Sequence, residues 1–175
     1  MFSRLAYFCL NKMRMPKRRF HIPVLFLVFS FFLSCNTIDL YERTVSIPDH
    51  EWKSSYRPSF TFSIKDTSSS YRLYLVLRHN EKYNYNNIFI NLYARQPGMD
   101  TAQKARYDLL LASNDEGWLG SGMDDIYEHR IALTPAGETF KFRRPGDYIF
   151  SVEQIMREDP LKHVFNVGIR IEKEN

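Results

Sequence analysis

Cysteine is nearly absent from this chain: Cys9 and Cys35 are the only two in 175 residues, and both stand within the first 35 positions. An internal disulfide in any globular part that follows is thereby excluded, so its stability has to come from packing. Sustained helical periodicity, internal repeats and low-complexity segments are missing too. No G-x-S-x-G elbow, H-E-x-x-H pair or phosphate loop occurs, which removes the sequence signatures of serine hydrolases, zinc peptidases and nucleotide-binding enzymes. A long apolar run is lacking as well. The uncharged stretch 22–34 (IPVLFLVFSFFLS) has 13 residues, a helix of roughly 20 Å against a hydrocarbon core of about 30 Å.

That short run is preceded by Arg14, Lys17, Arg18, Arg19 and His21 and ends in Ser34 immediately before Cys35. A basic region, a short apolar region and a small residue at the end are the order of a secretory signal. The final Ser-Cys suits a lipoprotein signal peptidase, which cuts before a cysteine whose thiol has been acylated. Residues 1–34 are therefore expected to be a signal peptide, with Cys35 bearing the lipid, palmitate among its acyl chains. Met13 and Met15 offer alternative starts that leave a signal of more usual length and omit Cys9.

Removing residues 1–34 takes away six basic residues and no acids, leaving 18 basic against 20 acidic and moving the formal charge from +4 to −2. The basic pI thus belongs to the signal and is no evidence for nucleic-acid binding. About 140 remaining residues suffice for one domain that buries roughly two-thirds of its unfolded surface.

Residues 35–46 read as the lipidated cysteine and a tether leading into a first edge segment, and 47–175 as one domain. Phe60, Phe62 and Ile64 alternate with Thr61 and Ser63, the pattern of a half-buried strand. Tyr71, Leu73, Leu75 and Leu77 repeat it, and Tyr74 and Val76 make the other face apolar, which predicts a central strand. Residues 88–94 are expected to return beside it as the second arm of a long hairpin, across the Asn-rich turn 80–87. Further strands are predicted at 107–111, 130–133, 139–142, 148–155 and 164–172, with turns at Pro97-Gly98, Pro135-Ala136-Gly137 and Pro145-Gly146. About eight short strands predict an all-β fold, an antiparallel two-sheet β-sandwich of jelly-roll or immunoglobulin-like type. Phe62, Leu75 and Ile90 are expected in its core.

The stretch 117–130, GWLGSGMDDIYEHR, gathers three glycines around Trp118 and then Asp124, Asp125, Tyr127, Glu128, His129 and Arg130. Closely spaced glycines permit positive φ or close backbone approach, which predicts a loop of specified shape with Trp118 as a lid on the sandwich end. The acids could supply oxygen ligands to calcium, but the spaced Asp/Asn-Gly-Glu order of an EF-hand is absent and neighbouring side chains diverge in extended chain, so calcium is disfavoured. The favoured reading is an Asp that caps the loop by accepting backbone N–H bonds, with Glu128 and Arg130 solvated or paired. Paired carboxylates could also serve glycosidic cleavage if a cleft held them about 5–10 Å apart, a disfavoured reading. The histidines at 50, 79, 129 and 163 are too scattered along the sequence to suggest zinc. Residues 156–160, MREDP, are expected to form a turn, since Asp159 precedes Pro160, with Arg157 bracing it through a carboxylate. Ten tyrosines and two tryptophans after residue 34 leave a glycan-binding surface as the alternative to sandwich packing or a protein interface, which aromatic residues also favour.

The signal ending at Cys35, then IPDHEW (47–52), LVLRHN (75–80) with YNYNNIFI (83–90), GWLGSGMDDIYEHR, the P-G-x-Y of RRPGDYIF (143–150) and MREDPLKHVFNVGIRIE (156–172) together resemble the GldH family. These are gliding-motility-associated lipoproteins of Bacteroidetes-type bacteria. The likeness extends over roughly 41–173. One departure is Met123, where members tend to have Gly. The resemblance implies a non-enzymatic envelope lipoprotein, lipid-anchored through Cys35 to the outer membrane on its periplasmic side. Its partners would be envelope proteins of the motility machinery and the associated secretion system, with no nucleic acid, small-molecule substrate, cofactor or metal. The two signature loops are expected to form a partner-binding end that includes Trp118, Asp124, Asp125, Tyr127, Arg130, Arg157 and Asp159.

Overall fold

The computed structural model describes residues 40–174, and that part of the chain is almost all β. In chain order the strands are β1 (Leu40–Ser46), β2 (Glu51–Trp52), β3 (Ser59–Ile64), β4 (Ser70–Asn80), β5 (Asn87–Arg95), β6 (Gln103–Leu110) and β7 (Ala112–Ser113). They continue as β8 (Gly117–Trp118), β9 (Ser121–Met123), β10 (Ile126–Ala132), β11 (Gly146–Gln154), β12 (Leu161–Lys162) and β13 (Val164–Glu174). One sheet runs β1-β13-β4-β10-β9, the other β3-β11-β5-β6, and two small ribbons, β2-β12 and β7-β8, close one end. Neighbouring strands are antiparallel throughout. The fold is the antiparallel two-sheet sandwich that the alternation predicted.

The core lies between the sheets and follows the period-two pattern. Phe60, Phe62 and Ile64 point inward from β3 while their neighbours are exposed. Leu75 and Ile90 are fully buried and Phe62 nearly so. Phe62 is the hub of an aromatic cluster, edge-on to Phe150 at 5.0 Å and stacked on Tyr148 at 5.8 Å. Truncating any of these three to alanine removes packing worth about 2–5 kcal/mol.

Three expectations change. The long hairpin of 71–77 with 88–94 does not form: β4 is flanked by β13 and β10, β5 by β11 and β6, so the two arms belong to opposite sheets. With both edges of β4 already taken, the 81–86 connection crosses between layers, pinned by buried Tyr83. Residues 139–142 make one bridge, Phe140 to Tyr71, rather than a strand; buried Phe142 holds the segment in place. Residues 40–46, expected as tether, are an edge strand, running beside β13 from Leu40 opposite Glu172 to Ser46 opposite Asn166.

The register gives the sandwich two distinct ends. Connections 65–69, 96–102 and 133–145 lie at the end where β1 begins, called here the near end. Connections 47–58, 81–86, 111–125 and 155–163 lie at the far end.

Candidate functional site

The far end is organised around two buried histidines. His79 continues the inward alternation of β4 and is fully buried; His129, on neighbouring β10, is 2% exposed. Their rings stack with centroids 4.9 Å apart and planes 16° apart, and the two Nε2 atoms are 2.8 Å from each other. His79 Nδ1 lies 2.7 Å from the Asn80 carbonyl oxygen, so it carries the proton and donates. His79 Nε2 is then a lone pair, and His129 Nε2–H must donate to it. Burial lowers the affinity of His79 for a further proton. Burial and then the neighbouring His79 push His129 down to about 4.

The glycine-rich stretch covers this pair. Trp118 is half-buried and stands edge-on to His79 at 4.4 Å, with Tyr83 at 4.9 Å and Tyr127 at 5.8 Å from the same ring. Gly117 takes φ +68°, a conformation open to glycine. A Cβ on Gly120 would stand 2.7 Å from the Glu128 carbonyl and 2.9 Å from the His129 ring, and one on Gly122 would meet the Tyr127 ring at 2.9 Å. Those two glycines let the loop close over the histidines.

Asp124 and Asp125 form the two-residue turn between β9 and β10, with Met123 opposite Ile126. Both have positive φ, 51° and 63°, as a type I′ hairpin turn demands. The carboxylate caps expected here are absent: among the described residues neither side chain takes part in a hydrogen bond or ion pair. Only the backbone of Asp125 is engaged, its carbonyl accepting from Glu81 N–H at 3.1 Å. Met123, at the position where glycine was expected, is not among the positive-φ residues and its side chain is 78% exposed.

Arg130 is not gathered into the cluster. It follows His129 on β10, so it points to the outer face, where it pairs with Glu128 at 3.0 Å and Glu42 at 3.8 Å. Arg157 is exposed and takes part in none of the ion pairs among the described residues; the turn is braced by its neighbour instead. Asp159 accepts Ser54 N–H at 2.9 Å together with the Ser54 hydroxyl, and these bonds hold its carboxyl below the usual range. Buried Gln154 donates to the Trp52 carbonyl at 3.2 Å and accepts Met156 N–H at 2.8 Å.

Most of the separate signature stretches meet here, while the Pro-Gly turn of RRPGDYIF lies at the near end. β2, from IPDHEW, pairs with β12, directly after MREDP. Asn80 N–H donates to the His163 carbonyl at 3.3 Å, and Trp118 approaches Tyr83 at 6.3 Å. Sequence reading missed the His79–His129 pair, although the alternation of β4 does place His79 on the inner face. Among the described residues no group of three or more His, Cys, Asp or Glu is placed to hold a metal ion.

Comparison with known proteins places this architecture. The GldH lipoprotein family matches residues 39–171. The chain is 28% identical over 164 residues to a gliding motility lipoprotein GldH homolog of Christiangramia forsetii, covering 89% of this chain and 97% of that one. It is 26% identical over 160 residues to the gliding motility lipoprotein GldH of Flavobacterium johnsoniae, covering 87% and 96%. Among solved structures, a carbohydrate-binding module specific for non-crystalline cellulose, CBM28, aligns over 77% of this chain and 73% of that one, with a TM-score of 0.42 and 11% identity, too distant to bear on the site. With all of the sandwich except the last three residues of β13 inside the match, the chain belongs to the GldH lipoprotein family.

Proposed function

We propose that this protein is a non-catalytic lipoprotein of the cell envelope, anchored by acyl chains on Cys35 to the periplasmic side of the outer membrane. It binds other envelope proteins, components of a gliding-motility or secretion assembly, through the far end of its sandwich. No cofactor, metal, nucleic acid or small-molecule substrate enters this reading. The observation that carries it is the convergence of IPDHEW, RHN with YNYNN, GWLGSGMDDIYEHR and MREDP on one end, joined by the β2-β12 ribbon and the Asn80–His163 and Glu81–Asp125 backbone bonds. The names of the two relatives supply the cellular setting. Exposed loops carried on a rigid sandwich are the usual place for partner binding. Trp118 and Tyr127 lie against His79, which favours a structured protein interface over a flat sugar platform.

Cys35 lies outside the described residues, and its role is tested directly. Envelope fractions from cells making the wild type or Cys35→Ala are compared after labelling with a palmitate analogue. The wild type should carry label and sediment with membranes, and Cys35→Ala should carry none. Equal labelling of both would remove the anchor from the account.

A further inference from the structure

The two ends of the sandwich carry different charge. Far-end connections hold nine acidic and five basic residues, whereas those of the near end hold Lys65, Lys141, Arg143 and Arg144 against Asp66, Asp100 and Glu138. Asp66 is already taken by Lys173 at 2.9 Å and by Ser68 and Ser69. At the strand ends, Arg95, the last residue of β5, adds a cation to the near end and exposed Asp147, the second residue of β11, an anion, so the exposed cations there still outnumber the free carboxylates. Lys65, Arg95, Lys141, Arg143 and Arg144 are all exposed, and none joins an ion pair among the described residues. By contrast Arg57, Arg72, Arg78, Arg130 and Arg170 on the strands and at their margins are paired, and Arg106 lies over the Phe89 ring at 5.4 Å, which leaves Arg43, besides Arg95, as the strand arginine outside these contacts. Lys141 and Arg143 border one shallow concavity with Gln96 and Gln103, and Gly146 abuts Pro97, so the near-end loops form one surface.

The chain itself delivers this surface to a membrane if Cys35 is acylated. Four residues lie between Cys35 and Leu40, and the five steps from one to the other, at up to 3.6 Å each, reach at most about 18 Å whatever their conformation. Leu40 enters beside Glu172, at the near end. A tether of that length also permits the domain to lie on its side, so reach alone does not fix its posture. Charge does: an anionic leaflet attracts Lys and Arg within a Debye length of about 8 Å and repels the acidic far end.

We infer that the near end docks on the phosphate layer of anionic phospholipids through Lys65, Arg95, Lys141, Arg143 and Arg144, which turns the far-end loops away from the bilayer. This rests on lipidation at Cys35. The test uses the mature lipidated protein in vesicles of phosphatidylcholine with or without phosphatidylglycerol, probed by lysine acetylation and mass spectrometry. With phosphatidylglycerol, acetylation of Lys65 and Lys141 should fall about threefold or more and recover at high salt, because the attraction is electrostatic and screened. Lys53 and Lys162, at the far end, should label equally in both vesicles. The double substitution Lys141→Glu, Arg143→Glu, on exposed side chains, should restore Lys65 labelling without changing the melting temperature. Failure to float with vesicles would overturn the anchor and this inference together. Flotation with unchanged lysine labelling would overturn the docking alone and leave the basic end for an acidic protein partner.

Discussion

His79 and His129 form a unit that is sensitive to protons in one direction. A proton added at His79 Nε2 would set two N–H groups against each other across 2.8 Å, and burial opposes charge on either ring. Both folded-state affinities lie below the unfolded value of about 6.5, so the unfolded chain binds more protons as pH falls. The pair's stabilising contribution is therefore complete above about pH 6.5 and is lost progressively toward pH 4, by on the order of 2 kcal/mol. Urea unfolding at pH 7 and pH 4.5 checks this against His129→Gln, whose amide N–H can still donate to His79 but does not titrate. The variant should show a shallower loss over that interval; an equal loss would assign the sensitivity to the carboxylates. Half of this arrangement was legible in the sequence, since His79 extends the Tyr71, Leu73, Leu75, Leu77 alternation. Its partner was not, because the pairing of β4 with β10 joins positions 50 apart, and one chain without its strand register cannot specify that.

At the scale of elements, turns and strands differed in how much local sequence revealed. The alternation in β3, β4 and β11 follows from burial of one face and was readable directly. The order of strands depends on which edges are already occupied, and for that reason β4 and β5, adjacent in sequence and each strongly apolar, fall into separate sheets. In the β9-β10 hairpin, the acidic pair suggested ligands or caps, whereas the structure uses Asp124 and Asp125 for their tolerance of positive φ. Glycine adopts that conformation with less strain. Asp125→Gly should accordingly raise stability by about 0.5–1 kcal/mol, seen as a higher urea midpoint with an unchanged slope. A lower midpoint would show that the Asp125 side chain has a structural task in this turn.

At the scale of the described domain, the sandwich has unlike ends. Residues 40–46 join the domain as an edge strand, which brings the start of the described chain to the basic near end. The far end brings together IPDHEW, GWLGSGMDDIYEHR and MREDP, segments scattered across more than 100 positions. The fold class and the existence of shaped loops were readable because they rest on local patterns; the coalescence of the loops was not, since it depends on strand order. Site-specific photocrosslinking in intact envelopes tests the central claim most directly. A crosslinking residue is placed at Met123 or Arg157 on the far end, at Lys104 on β6, or at Glu138 on the near end, all exposed. The account predicts protein adducts from Met123 and Arg157, with none from Lys104. Adducts from Lys104 or Glu138 in place of the far-end positions would contradict it.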